Sequence, residues 1–187
     1  MQEISKEQLA ALPIRRYEGR VVLNDTRGLL EEIEKENLIG FDTETRPAFK
    51  PGQSYLPSLV QIATGRAVYL LQVQQHDFSA ALRTIFSAEH VTKAGVSVDD
   101  DLKNLRKLFE FHDKSVVDIG KVARQRGMKQ TGVRNLAGIL LGARVPKGAK
   151  TTNWAAHTLT PQQVAYAATD AWVCRVLFLR FREMGWV

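Results

Sequence analysis

Short apolar runs alternate along this chain with stretches in which apolar residues recur at helical spacing. Val21-Val22-Leu23 is the first run, and the turn formers Asn24, Asp25 and Thr26 follow it. Asp25 or Thr26 caps a predicted helix that passes through Leu29, Leu30 and Ile33 to about Glu36. Leu38 to Phe41 predicts a strand ending in Asp42, and Pro47, Pro51, Gly52 and Pro57 mark a long loop after it. Ser58–Ala63 and Ala67–Val73 predict two strands of a hairpin around Thr64-Gly65-Arg66. Beyond them the spacing predicts a helix over 77–86, a strand over 91–96, a helix over 98–109 and a strand over 115–119. Helices over 119–126 and 133–141, a polar loop over 142–153 and one long helix from Thr160 to about Met184 complete the pattern.

A hairpin followed by strand–helix alternation is the pattern of an α/β layer structure, with a mixed sheet and helices on both faces. With 187 residues, 44% of them apolar and 25% charged, the chain is expected to form a single domain. No apolar run approaches the roughly 20 residues that a membrane helix needs. The first twenty residues carry Glu3, Lys6 and Glu7 and no apolar stretch, so no secretory signal is expected and an intracellular, cytoplasmic location follows. The single cysteine, Cys174, excludes an internal disulfide and a cysteine-rich zinc site, and is expected to be a small buried filler. His76, His90, His112 and His157 are scattered. The net charge of +6 is compatible with a polyanionic partner through counterion release, although many proteins without one carry as much.

Three groups of acids need an explanation. In Asp42-Thr43-Glu44 the two carboxylates are two residues apart on a strand and therefore project to one face, where they repel each other. Either they form a solvated strand end, or a hard divalent cation such as magnesium or manganese takes both. In Asp99-Asp100-Asp101 the helical stripe Val98, Leu102, Leu105, Leu108, Phe109 separates the three. Asp101 shares the side of Leu105 and Leu108, where it either faces the protein body or reaches solvent from the edge of the stripe, whereas Asp99 aligns with Lys103 and Arg106, and Asp100 with Asn104 and Lys107. Tyr166 and Asp170 are four apart on the last helix, on a face continued by Val173 and Leu177. A tyrosine–aspartate hydrogen bond in a helix interface explains that pair alone. Four inward carboxylates together would repel severely without cations, and two cations roughly 4 Å apart suit in-line attack on a phosphodiester.

Asp-Thr-Glu near the start, Gly-Val-x-x-x-x-Asp from Gly95 to Asp101 and Tyr-Ala-Ala-Thr-Asp-Ala from Tyr166 together resemble the DEDD superfamily of 3′–5′ exonucleases. The Tyr-x-x-x-Asp form of the last motif resembles its tyrosine subclass, in the manner of the Werner syndrome helicase exonuclease domain and ribonuclease D. Ser58-Leu59-Val60-Gln61-Ile62-Ala63 and Asn153-Trp154 extend the likeness, which covers about residues 20–182. The histidine subclass places a histidine five residues before the last aspartate; Ala165 stands there.

The resemblance implies a ribonuclease-H-like (DnaQ-like exonuclease) fold, with a mixed five- or six-stranded sheet and helices on both sides. It implies release of 5′-mononucleotides from the 3′ end of DNA or RNA, with two divalent cations, Mg2+ or Mn2+. Asp42, Glu44 and Asp170 would hold one cation, Asp42 would bridge to the second, and Asp101 would support that second cation through water. Tyr166 would orient the attacking water, since a free phenol with a pKa of about 10 is a poor base at neutral pH.

Substrate contacts are expected from Thr43 and Thr45 beside the first acids; Arg144, Lys147 and Lys150 in the loop before the last helix either meet a phosphate backbone or form an ordinary solvated basic loop. Trp154 is expected either to stack on a base or to lie in the core. Two other readings compete. A haloacid-dehalogenase-type phosphatase would need a second aspartate where Glu44 stands, and leaves Tyr166 and Asp170 unexplained. A nucleic-acid-binding module without catalysis would have no reason to retain the acids.

Overall fold

The expected hairpin forms the middle of a six-stranded sheet. The computed structural model describes residues 3–148 and 152–187. In chain order its elements are α1 (Lys6–Ala11), β1 (Arg20–Leu23), α2 (Arg27–Ile33), β2 (Leu38–Thr45), β3 (Pro57–Ala63), β4 (Ala67–Leu71) and α3 (Ser79–Ser87). β5 (Thr92–Gly95), α4 (Val98–Leu105), β6 (Val116–Asp118), α5 (Ile119–Gln125), α6 (Val133–Leu141) and α7 (Pro161–Glu183) follow. The strand order is β1-β4-β3-β2-β5-β6. β2, β3 and β4 pair antiparallel, while β1 joins β4, β5 joins β2 and β6 joins β5 in parallel. This is the expected mixed sheet with helices on both faces, and the fold is ribonuclease-H-like.

Alternation along β2 decides what each face receives. Ile39 and Phe41 join Val60, Ile62, Tyr69 and Leu71 in a core closed by α2, α3 and α4. Gly40, Asp42 and Glu44 have the opposite parity. On that face Leu59, Ala63, Val68 and Leu70 pack against Ala167, Ala168 and Ala171 of α7 and against Trp154. A third cluster joins Leu38 and Ala94 to α5, α6 and the second half of α7, including Cys174.

Two glycines set the approach of the helices. A β-carbon on Gly40 would stand 2.0 Å from the Ala171 carbonyl oxygen, so only glycine lets the α7 backbone lie on β2. A β-carbon on Gly95 would meet Val98 Cγ1 at 2.4 Å and the Phe41 carbonyl oxygen at 2.6 Å, and its absence lets α4 start against β2. α7 itself begins with Pro161 behind a capping box, in which the Thr160 hydroxyl accepts from the Gln163 N–H and the Gln163 side chain accepts from the Thr160 N–H.

The structure differs most from the sequence pattern in β2, α4 and the N-terminal segment. β2 does not end at Asp42 but continues to Thr45, because β3 pairs with it through Asp42–Gln61, Thr43–Val60 and Glu44–Leu59. α4 ends at Leu105 rather than 109, where turn hydrogen bonds replace the helical ladder. α1 was not foreseen, although Ser5 and Gln8 form its capping box. The packed structure also begins before residue 20: Ile4 is buried, Gln130 bonds both its N–H and its carbonyl, and Ile14 forms a β-bridge with Arg144.

Candidate active site

Parity puts Asp42 and Glu44 on the α7 side of β2, and the contact at Gly40 brings Asp170 of α7 beside them. Glu44 and Asp170 are buried; Asp42 is half-buried. Burial, followed by the negative charges of Asp170, Asp101 and Glu44, holds the Asp42 carboxyl well above the usual carboxylate range. The backbone N–H of Thr43 donates to Asp42 Oδ1 at 2.9 Å and opposes that rise.

Asp101 joins from α4. It is half-buried while Asp99 and Asp100 are exposed, as the helical stripe predicts. The Thr43 hydroxyl donates to Asp101 Oδ1 and ties α4 to β2 between the two motif acids. Burial raises the Asp101 carboxyl to about 6, with Asp100 and Asp118 adding to the rise and the Thr43 hydroxyl resisting it. Asp99 instead pairs with Lys121 on the surface.

Tyr166 stands one helical turn before Asp170. Burial first, then the charges of Asp170 and Glu44 and a hydrogen bond to Asp170, push its phenol far above its ordinary value. Arg134 of α6 donates from Nη2 to the phenol oxygen at 3.3 Å. The loop after α6 presses on the ring, since a β-carbon on Gly148 would lie 2.6 Å from Tyr166 Cδ2. A cavity of about 330 Å³ opens at this point, bordered by Arg16, Lys147, Gly148, Gln162, Tyr166 and Asp170.

Four oxygen-only side chains drawn together, with Asp42 and Asp101 held toward their protonated forms, fit a hard divalent cation, which would favour the ionised forms. Among the described residues no group of three or more His, Cys, Asp or Glu side chains is arranged to hold a metal ion, so the acids form an electrostatic cluster rather than a finished ligand shell. Among the described residues no helix is long and apolar enough to cross a membrane.

The expected substrate contacts fare unevenly. Trp154 is a correction: it is fully buried among Leu59, Ala167, Ala168 and Ala171, with its ring centre 6.0 Å from that of Tyr166, and has no face left for a base. Thr43, expected to meet the terminal nucleotide through its backbone, spends its N–H on Asp42 and its hydroxyl on Asp101. Thr45 sits at the β-bulge where β2 meets Pro57. Arg144 is half-buried and bridged to the N-terminal segment; Lys147 lines the cavity; Lys150 lies outside the described residues. Arg16 at the cavity, Arg134 at the Tyr166 phenol and the loop residues Arg46, Phe49 and Tyr55 were not singled out in the sequence. Phe49 is 80% exposed just beyond Glu44, and the Arg46 guanidinium lies 4.9 Å from the Tyr55 ring centre. An aromatic left outside the apolar periodicity was the signal available for Phe49.

Comparison with known proteins decides the family. The profile of 3′–5′ exonuclease domains (DNA_pol_A_exo1) matches residues 23–186. The chain belongs to the 3′–5′ exonuclease family. Among curated relatives of this exonuclease domain is the mouse (Mus musculus) bifunctional 3′–5′ exonuclease/ATP-dependent helicase WRN, 26% identical over 189 residues. That match covers 93% of this chain and 13% of the helicase, so the chain spans far less than the relative's own length. Among solved structures, the Nibbler EXO domain of Aedes aegypti superposes with a TM-score of 0.78 at 23% identity, over 93% of this chain and 94% of that one. Ribonuclease D of Escherichia coli, an exoribonuclease involved in structured RNA processing, superposes with a TM-score of 0.76 at 22% identity, over 91% of this chain and 47% of that one. These two structures share the fold.

Proposed function

We propose that this exonuclease-family chain hydrolyses the terminal phosphodiester at the 3′ end of DNA or RNA, releases 5′-mononucleotides and depends on two divalent cations, as a member of the tyrosine subclass. The observation that carries the reading is the meeting of Asp42, Glu44, Asp101 and Asp170 from three separate elements, with Tyr166 one turn from Asp170.

In the reaction, water attacks the terminal phosphorus, a new P–O bond forms, and the bond to the 3′ oxygen of the preceding nucleotide breaks. The attacking water gives up a proton and the departing 3′ oxygen takes one. Bound Mg2+ or Mn2+ would supply charge stabilisation at the attacking and leaving oxygens. Asp42, Glu44 and Asp170 would hold one cation, Asp42 would reach the second, and Asp101 would support it through water. The elevated phenol of Tyr166 remains protonated at neutral pH, so it serves as a hydrogen-bond donor that orients the attacking water rather than as a base. Arg16 and Lys147 border the same cavity as Tyr166 and Asp170 and offer positive charge to the phosphate backbone. The exposed Phe49 offers a stacking face for a base near the end of β2.

The test is a 5′-labelled strand of DNA or RNA incubated with Mg2+, Mn2+ or EDTA, with Asp42→Asn as the control. Metal-dependent shortening from the 3′ end, with mononucleotide products and no shortening by the variant, supports the reading. Binding without shortening under either metal would overturn it in favour of a nucleic-acid-binding module.

A further inference from the structure

We infer that Arg134 is a positioning residue of this site, which acts through Tyr166 by fixing the direction of the phenolic proton. The inference rests on the exonuclease reading above.

The chemistry of the contact is one-sided. A guanidinium carries five N–H donors and no acceptor, so the Tyr166 oxygen can only accept in the 3.3 Å contact with Arg134 Nη2. The phenol has a single proton, and with Arg134 on one side that proton is left to point away from α6, into the cavity that Tyr166 and Asp170 line together and where the attacking water would stand. Reversal of the phenol, with its proton turned to α6, would set it against a cation. The ring cannot escape by swinging away, since the Gly148 backbone lies against one edge and the buried Trp154 ring stands 6.0 Å off.

The placement of Arg134 is costly for a purely structural side chain. α6 packs Leu136 and Ala137 against α7 in an apolar cluster, and Arg134 enters beside them with its Nε buried and without an acceptor. Arg134 is half-buried, and a buried donor left unpaired is destabilising relative to an aliphatic side chain of the same length. A guanidinium retained there at that cost suits a role at the phenol. The alternative, direct contact with the substrate phosphate, predicts a different pattern of coupling.

That pattern is read with a double-mutant cycle of Arg134→Met and Tyr166→Phe, with Arg134→Lys as a second variant that keeps the charge. Single-turnover cleavage by Arg134→Met is expected to fall about tenfold, the worth of one charge-assisted hydrogen bond, with KM within about twofold of the parent. Arg134→Lys should recover part of the rate. In the Tyr166→Phe background the same change should cost nothing further. A full tenfold loss in that background, or a loss carried by KM, would overturn the inference and make Arg134 a substrate contact. An unaltered rate for both Arg134 variants would also overturn it. The metal-free protein supplies a second readout: Arg134→Met should shift the melting temperature by different amounts with and without the Tyr166 hydroxyl, and equal shifts would overturn the contact. If the parent protein cleaves nothing, the exonuclease reading fails while this melting cycle still decides the contact.

Discussion

Gly40 and Ala171 touch backbone to backbone: a β-carbon on the glycine would stand 2.0 Å from the alanine's carbonyl oxygen. That contact sets the separation of Asp42, two residues beyond Gly40, from Asp170, one residue before Ala171. Gly40→Ala must therefore push α7 off β2 and part the two acids. We expect a destabilisation of about 3 kcal/mol, as for an overpacked core, with cleavage lost even in protein that remains folded. Urea unfolding beside an activity assay checks this; full activity in Gly40→Ala would show that the acids do not depend on that approach.

The metal-free protein should be more stable in mild acid than at neutral pH. The Asp101 carboxyl titrates at about 6 in the fold and Asp42 is also raised, whereas both titrate near 4 when unfolded. Across that interval the folded protein binds more protons than the unfolded chain, so stability falls as pH rises through about 6. Melting in EDTA should thus occur at a higher temperature at pH 5 than at pH 7.5. Asp42→Asn should raise the melting temperature at pH 7.5 and flatten the pH dependence, while it lowers cleavage by at least about a thousandfold.

Thr43→Val keeps the shape and strand preference of the side chain but removes the donor to Asp101. Freed from that tie, the carboxylate should be less well placed to support a cation. The Mg2+ concentration for half-maximal cleavage is expected to rise about tenfold, with the rate at saturating metal largely restored. An unchanged metal titration would mean that the hydroxyl is structural only.

Phe49→Ala should act on binding. The side chain is 80% exposed and packs on nothing that stability needs, so melting should not move. KM for a single strand is expected to rise about tenfold, within the worth of one base–aromatic stack, with kcat changed little. A melting curve and a substrate titration together distinguish this from a folding defect.

Local chemistry made much of this structure legible, and distance along the chain hid the rest. The α6 helix has the bounds its apolar spacing predicts, and the inward turn of Asp101 follows from its place relative to Leu105. The end of β2 was misjudged because its polar half is held by pairing with β3, which no local pattern expresses. The ties Thr43–Asp101 and Arg134–Tyr166 join residues 58 and 32 positions apart, and nothing in either segment marks its partner. Trp154 illustrates the limit in composition: a tryptophan beside a basic loop is more often a filler than a platform, and the alanines of α7 closing over it decide for the filler.

α7 serves two ends at once. Its alanines fill the space over β3 and β4, and the same turns carry Tyr166 and Asp170. A proteolytic nick within those turns would disturb the sheet's roof together with two of the five residues of the candidate site, so damage there would take packing and chemistry away in a single event.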